Sequence, residues 1–198
     1  MKDRSRNSRT GEKVVKREIC NVFTKGTFID TSDSKKGFSN KYCMAITQFS
    51  AKDLNRKKLM NDGNIYCETD KYYGFVIFDV GTLQFYLGEI KDDETYQEIL
   101  TLLYSIRPEE IIILKKNLPT YIENFITTLS SKPKITRITK DFSNALSYSL
   151  ADKYFGSKEK WNDLVRKYVV DENYLNISAS FFLAASYLEN ILLADQVI

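Results

Sequence analysis

Apolar residues occur in short blocks along this chain, and their spacing shifts from alternate positions to a helical period partway through. Residues 1–13 carry no apolar periodicity and read as a disordered basic linker. Val14, Val15, Ile19, Val22 and Phe23 then mark an extended segment, Gly26 a turn, and Phe28 a second short segment. Residues 30–41 are rich in Ser, Asp, Lys and Gly, and the boundary of the main domain is expected there. Tyr42 to Phe49 reads as a strand, followed by a polar excursion over residues 50–64. Tyr72 to Val80 and Leu83 to Ile90 are aromatic and β-branched, with only Gly81-Thr82 between them, which predicts a hairpin. Both are apolar on both faces, so both are expected inside a covered sheet.

Tyr96, Ile99, Leu100 and Leu103 fall at helical spacing behind Asp92, Asp93 and Glu94, and Pro108 ends that helix. Ile111 to Leu114 is short enough for a buried parallel strand. Pro119 opens a helix with Tyr121, Ile122, Phe125, Ile126 and Leu129 on one face. Ile135 and Ile138 mark another strand beyond Pro133. Three helices follow, over 143–155, over 158–169 with the lone Trp161, and over 178–194 with Phe181, Ala185, Leu188 and Leu192 as its buried stripe. The order predicts an α/β fold: three antiparallel strands, then helix-strand units, giving a mixed sheet with helices on both faces. That strand order is ribonuclease-H-like.

Composition removes several chemistries. The 198 residues include no histidine, so Ser-His-Asp and Cys-His pairs and His-ligated metals are excluded. Cys20, Cys43 and Cys67 form no CxxC and are odd in number, consistent with reduced thiols of a cytosolic or nuclear protein. No G-x-x-x-x-G-K-[ST] or G-x-G-x-x-G phosphate cradle occurs. A ribonuclease-H-like nuclease needs carboxylates converging on strand ends, and Tyr42 to Phe49 contains no acid. Asp79 closes its strand as an acceptor for turn amides instead. No apolar run is long enough to span a bilayer, so no membrane partner is expected.

Charge is uneven. Residues 1–60 hold 15 Lys/Arg against 6 Asp/Glu, and the remaining residues hold 14 against 20. Lys13, Lys16, Arg17 and Lys25 surround an extended segment with Phe23 and Phe28 nearby. They are candidates for DNA-backbone contacts, with a solvated terminus as the alternative.

Val14-Val15-Lys16-Arg17-Glu18-Ile19-Cys20 followed by Val22-Phe23-Thr24-Lys25-Gly26-Thr27 resembles the end of the mismatch-binding domain in the MutS family of DNA mismatch repair proteins. Gly74 to Asp79 leading into Phe85-Tyr86-Leu87-Gly88 resembles that family's hairpin, and Arg107-Pro108-Glu109-Glu110-Ile111 its helix-to-strand turn. Residues 179–195 resemble the helix leading towards the lever domain. Within the family, the Thr-Lys-Gly-Thr form is most similar to the mismatch-sensing subunits of eukaryotic MutS-alpha heterodimers. The family's turn glycine stands where this chain has Leu83, and Gly81 is expected to take over the turn.

The resemblance implies that residues 14–30 end the mismatch-binding domain and that 31–198 form the connector domain (domain II) with the start of the lever helix. It implies a non-enzymatic segment of a longer nuclear protein, with no cofactor in this chain and ATP and Mg bound elsewhere in the parent. The implied partners are mismatched DNA through the parent protein, a MutS-type heterodimer partner and a MutL-type protein. A stand-alone nucleic-acid-binding module using the basic arm is the alternative, and a nuclease a more distant one.

Overall fold

In this computed structural model the described residues are 24–27, 41–50, 70–115, 118–139, 142 and 144–191. Among these described residues five strands form one sheet: β1 (Cys43–Ser50), β2 (Lys71–Asp79), β3 (Gln84–Asp92), β4 (Glu110–Leu114) and β5 (Lys134–Ile138). Their order is β3-β2-β1-β4-β5. The pairs β1/β2 and β2/β3 are antiparallel, whereas β1/β4 and β4/β5 are parallel. The helices are α1 (Gln97–Ile106), α2 (Thr120–Thr128), α3 (Asn144–Phe155) and α4 (Leu175–Asn190). This is the ribonuclease-H-like mixed sheet that the apolar pattern predicts.

Strand alternation explains why both faces are covered. Met44, Ile46, Ile111 and Ile113 turn one way and pack with Ile99 and Leu103 of α1 and Ile122 and Ile126 of α2. Cys43, Ala45, Val76, Phe78 and Ile112 turn the other way, towards α3, α4 and a π-helical turn, Val165–Val169. Helix α1 is capped from a distance: Asp92 at the end of β3 accepts the Ile99 amide at 3.0 Å through Oδ2. The sequence placed that acid next to the helix start, and the structure turns it into the amide acceptor.

Helix α4 departs from the expected one-sided stripe. Every residue from Asn176 to Leu188 is buried. The helix lies between the sheet and the layer of α3 and the π-helical turn, so no side is left for water. It starts earlier than predicted and presses its first turn directly onto β2. A Cβ on Gly74 would lie 2.2 Å from the Asn176 carbonyl carbon and oxygen. Three polar contacts fix that approach: Thr47 Oγ1 donates to Asn176 O at 2.8 Å, Ser180 Oγ to Gly74 O at 2.7 Å, and the two hydroxyls lie 2.8 Å apart.

The hairpin forms, but Asp79 pairs with Gln84, so its loop is the four residues 80–83. Asp79 Oδ1 accepts the Gly81 amide at 2.8 Å, the turn role its position suggested. Gly81 does not take over the left-handed position; Leu83 adopts it, with φ 56°. For a leucine that conformation costs about 1–2 kcal/mol. The hairpin's second strand is also not interior. β3 is the sheet edge, and most of its residues are half-buried or exposed.

The helix expected over 158–169 is broken. A 3-10 turn, Lys158–Lys160, leads into extended Trp161, whose indole donates to Gly156 O at 2.7 Å. Asn162 Oδ1 then accepts the Val165 amide at 2.8 Å and starts the π-helical turn. On α2, Ile122 and Ile126 are buried and Phe125 packs against the same core, whereas Tyr121 faces outward and stacks on Tyr96 with ring centroids 5.5 Å apart.

Gly74→Ala is expected to destabilise the chain by about 2 kcal/mol or more, because backbone rather than a pliable side chain must yield. Urea unfolding measures it, with Gly156→Ala as the contrast: its Cβ would meet only the Lys160 side chain, at 3.4 Å, and its cost would come from its φ of 76°.

Candidate functional site

Apart from Lys41 and Tyr42, which adjoin β1, the described residues ahead of that strand are Thr24-Lys25-Gly26-Thr27, and they form a turn seated at one end of the sheet. The turn closes on itself: the Thr27 amide donates to Thr24 O at 3.2 Å, and Thr27 Oγ1 accepts the Thr24 amide at 2.9 Å. Thr27 is buried. Thr24 Oγ1 lies 3.0 Å from Thr27 Oγ1 and 2.6 Å from the Tyr187 hydroxyl of α4.

Glycine at position 26 is a packing requirement. A Cβ there would come within 2.4 Å of Cys43 Sγ at the start of β1 and 3.1 Å of Glu110 Cβ at the start of β4. The backbone of the turn therefore rests on the first residues of two neighbouring parallel strands, which the register pairs. Lys25 supplies the polar rim. Its Nζ donates to Ser131 O at 2.7 Å and Lys132 O at 3.1 Å, and pairs with Glu109 Oε2 at 2.8 Å. Lys132 is itself left-handed, with φ 45°, and the tight turn before β5 aims these carbonyls at the ammonium.

Beneath the turn lies a small buried polar cluster. Glu110 is fully buried; its Oε1 accepts from Thr136 Oγ1 at 2.6 Å, with Lys134 Nζ 3.5 Å away. Burial, and then the negative charges of Glu110, Asp79 and Glu109, push the Cys43 thiol well above its ordinary value. Burial also raises the Tyr187 phenol, with the Thr24 bond pulling the other way and Cys43 and Glu110 adding to the rise. Both groups stay neutral, and Cys43 is unreactive for as long as the turn covers it.

The energies are small. Exposed or half-exposed bonds contribute about 1 kcal/mol each or less, and the Lys25–Glu109 pair, whose side chains are 44% and 31% exposed, belongs at the low end. Ordering a residue costs about 1–2 kcal/mol. The seated turn is therefore held by a margin of a few kcal/mol at most, a range in which a modest load can release it.

Of the candidate DNA contacts, Lys13, Lys16 and Arg17 lie outside the described residues, as does the strand expected around them. Lys25 is described, and its three donors have partners within this domain. Cys43, Glu109, Glu110 and Tyr187 were not singled out as a site by the sequence. The signal was present for two of them, since Glu109 and Glu110 sit within the Arg107–Ile111 turn. No local pattern marks Tyr187.

The acids do not converge as a two-metal site requires. Asp79 and Glu110 lie near Cys43 at one end of the sheet, and Asp92, opposite Lys71, lies at the other. Among the described residues no cluster of three or more His, Cys, Asp or Glu side chains is positioned to hold a metal ion. Nor is any helix among them long and apolar enough to cross a membrane.

Fold and site together define a ribonuclease-H-like α/β domain with a built-in seat for the turn that precedes it. A family model described as MutS domain II matches residues 41–196, and the chain belongs to that family, the connector domain of MutS-type mismatch repair proteins. The DNA mismatch repair protein MSH6 of Saccharomyces cerevisiae is 24% identical over 171 residues, covering 83% of this chain and 14% of that protein. MSH6 of Arabidopsis thaliana is 30% identical over 138 residues, covering 70% of this chain and 10% of that protein. The chain thus spans about a seventh or less of the relatives it matches. A solved structure, the simian T-cell lymphotropic virus intasome in complex with PP2A regulatory subunit B56 gamma, aligns over 83% of this chain and 51% of its own. At 16% identity and a TM-score of 0.30 it carries no argument.

Gly26→Ala is expected to unseat the turn while the sheet stays folded. Hydrogen exchange at the Thr24 and Thr27 amides should then rise towards the unprotected rate, with β1 and β4 still protected. Adding Cys43→Ala removes the sulfur that the new methyl meets and should restore much of the protection.

Proposed function

We propose that this domain relays conformational change within a MutS-type mismatch repair protein of the MSH6 kind, with the seated turn as its coupling element. The observation that carries the reading is the contact between the Thr24–Thr27 turn and Cys43, Glu109, Glu110 and Tyr187. In this reading residues 14–30 complete the mismatch-binding domain, and 31–198 are the connector with the first part of the lever helix. A displacement of the mismatch-binding region pulls on the turn, and the turn pulls on the starts of β1 and β4 and on α4. Residues 30–41 and the end of α4 act as hinges.

Lys13, Lys16 and Arg17 are assigned to the DNA backbone, and Lys25 to the seat. The parent works in the nucleus as a heterodimer with a second MutS-type protein, engages mismatched DNA, binds ATP and Mg outside this chain, and offers a connector surface to a MutL-type protein. The reading gives this segment no catalytic residue of its own.

The test is made in the full-length protein with its heterodimer partner. Gly26→Ala should leave mismatched-duplex binding nearly intact and slow ATP-triggered release from the duplex by about tenfold, equivalent to about 1.4 kcal/mol of lost coupling. Normal release from a variant whose turn is shown by hydrogen exchange to be unseated contradicts the proposal.

A further inference from the structure

A cavity of about 550 Å³ opens between the outer edge of β3 and the π-helical turn, away from the seated turn and independent of its role. Its floor is apolar: Phe181, Val165 and Val169 are buried there, and Phe85 and Leu87 pack against the same core. No charged side chain lines it. Three of the six large apolar side chains exposed among the described residues stand on its wall: Leu83 at 56%, Tyr86 at 49% and Leu164 at 64%. One of them, Leu83, holds the strained left-handed backbone of the hairpin, and a second wall is the π-helical turn. Strain and π-helical geometry are both features that concentrate at functional surfaces.

Among the described residues nothing pairs with the main chain of Gln84–Gly88 on the side beside the cavity. β3 pairs with β2 in an unbroken nine-residue register, without proline or bulge, and among the described residues no strand pairs with its other side. Its first half, Gln84 to Gly88, carries no charge. Its second half carries Glu89, Lys91 and Asp92, so only the first half lacks the charge or bulge that edges usually carry. Beside the cavity, Lys167 Nζ lies 4.9 Å from the ring centroid of Tyr168, a lining residue.

We propose that this groove binds an extended peptide of a partner protein, added as a sixth strand to β3. Main-chain hydrogen bonds along Gln84–Gly88 would hold the peptide. Alternate side chains would enter the cavity, so the peptide carries bulky apolar residues at positions i and i+2. An acidic residue beside them matches Lys167. The cavity volume lies within the range of pockets that enclose a ligand, so it accommodates two such side chains.

The probe is a random twelve-residue peptide library displayed on phage and panned on the full 198-residue chain, with enriched peptides then synthesised. Enriched peptides should share the apolar i, i+2 pair with an acidic neighbour and should protect the β3 amides from hydrogen exchange. Leu83→Gly and Leu164→Asp should each weaken binding about tenfold. Leu83→Gly should do so without lowering the urea midpoint, since glycine relieves the left-handed strain. Lys167→Glu should weaken the acidic peptides, and a peptide with lysine in place of the acid should recover binding to that variant. Four results overturn the proposal: enrichment without the apolar pair, binding that leaves β3 amides unprotected, a β3 edge already protected without peptide, or self-association of the chain through that edge.

Discussion

The contact on which the molecule depends is the approach of α4 to β2 at Gly74. With no side chain there, the first turn of α4 lies against the strand backbone, and Thr47 and Ser180 fix it with buried hydrogen bonds. That anchor sets the height of the whole helix. Eleven residues on, about 16 Å along its axis, Tyr187 emerges beside the starts of β1 and β4 and meets Thr24. One backbone-to-backbone contact in the middle of β2 therefore positions the Tyr187 hydroxyl that the seated turn meets. The helix is rigid because it is buried on every side, so movement of the turn has a stiff element to act on.

Two stretches of sequence that carry the family resemblance are far apart in the chain and adjacent in space. Lys25 and Gly26 meet Glu109 and Glu110, an ion pair and a van der Waals contact between one turn and another. Their chemistry is complementary in a limited way. A small glycine admits close packing on the thiol and carboxylate side chains below, and a flexible lysine satisfies the carbonyls and carboxylate around the rim. Nothing in the set is strong alone. That suits the relay proposed above, since a joint fixed by many strong bonds transmits load without ever opening, whereas one near balance converts load into a change of state.

Much of the fold was legible because the sheet enforces period two and the helices period 3.6. The strands around Ile46, Val76 and Ile112 and the helix around Ile99 and Leu103 were placed correctly from spacing alone. The misread elements have specific causes. α4 is enclosed from all sides, so its apolar stripe understated its burial. The 158–169 segment is cut by extended Trp161 and the Asn162 cap, a tertiary arrangement with no periodic signature. Leu83 holds a conformation that the sequence assigns to glycine. Of the site, Thr24 to Thr27 and Glu109-Glu110 were visible as motifs, but their meeting was not, because it depends on the parallel register of β1 and β4. Tyr187 and Cys43 look like ordinary core residues until the turn is seen above them.

In the proposed relay the seated turn opens and closes with the working cycle, and Cys43 reports it directly because Gly26 covers its sulfur. The measurement is the rate of thiol labelling at Cys43 in the full-length protein, with its other cysteines replaced, on mismatched DNA with ADP and then with ATP. Labelling should be slow with ADP, accelerate when ATP is added, and be fast under both conditions in the Gly26→Ala variant. An equally slow rate in both nucleotide states, with the variant alone labelling fast, would show that the turn stays seated throughout and that coupling runs elsewhere.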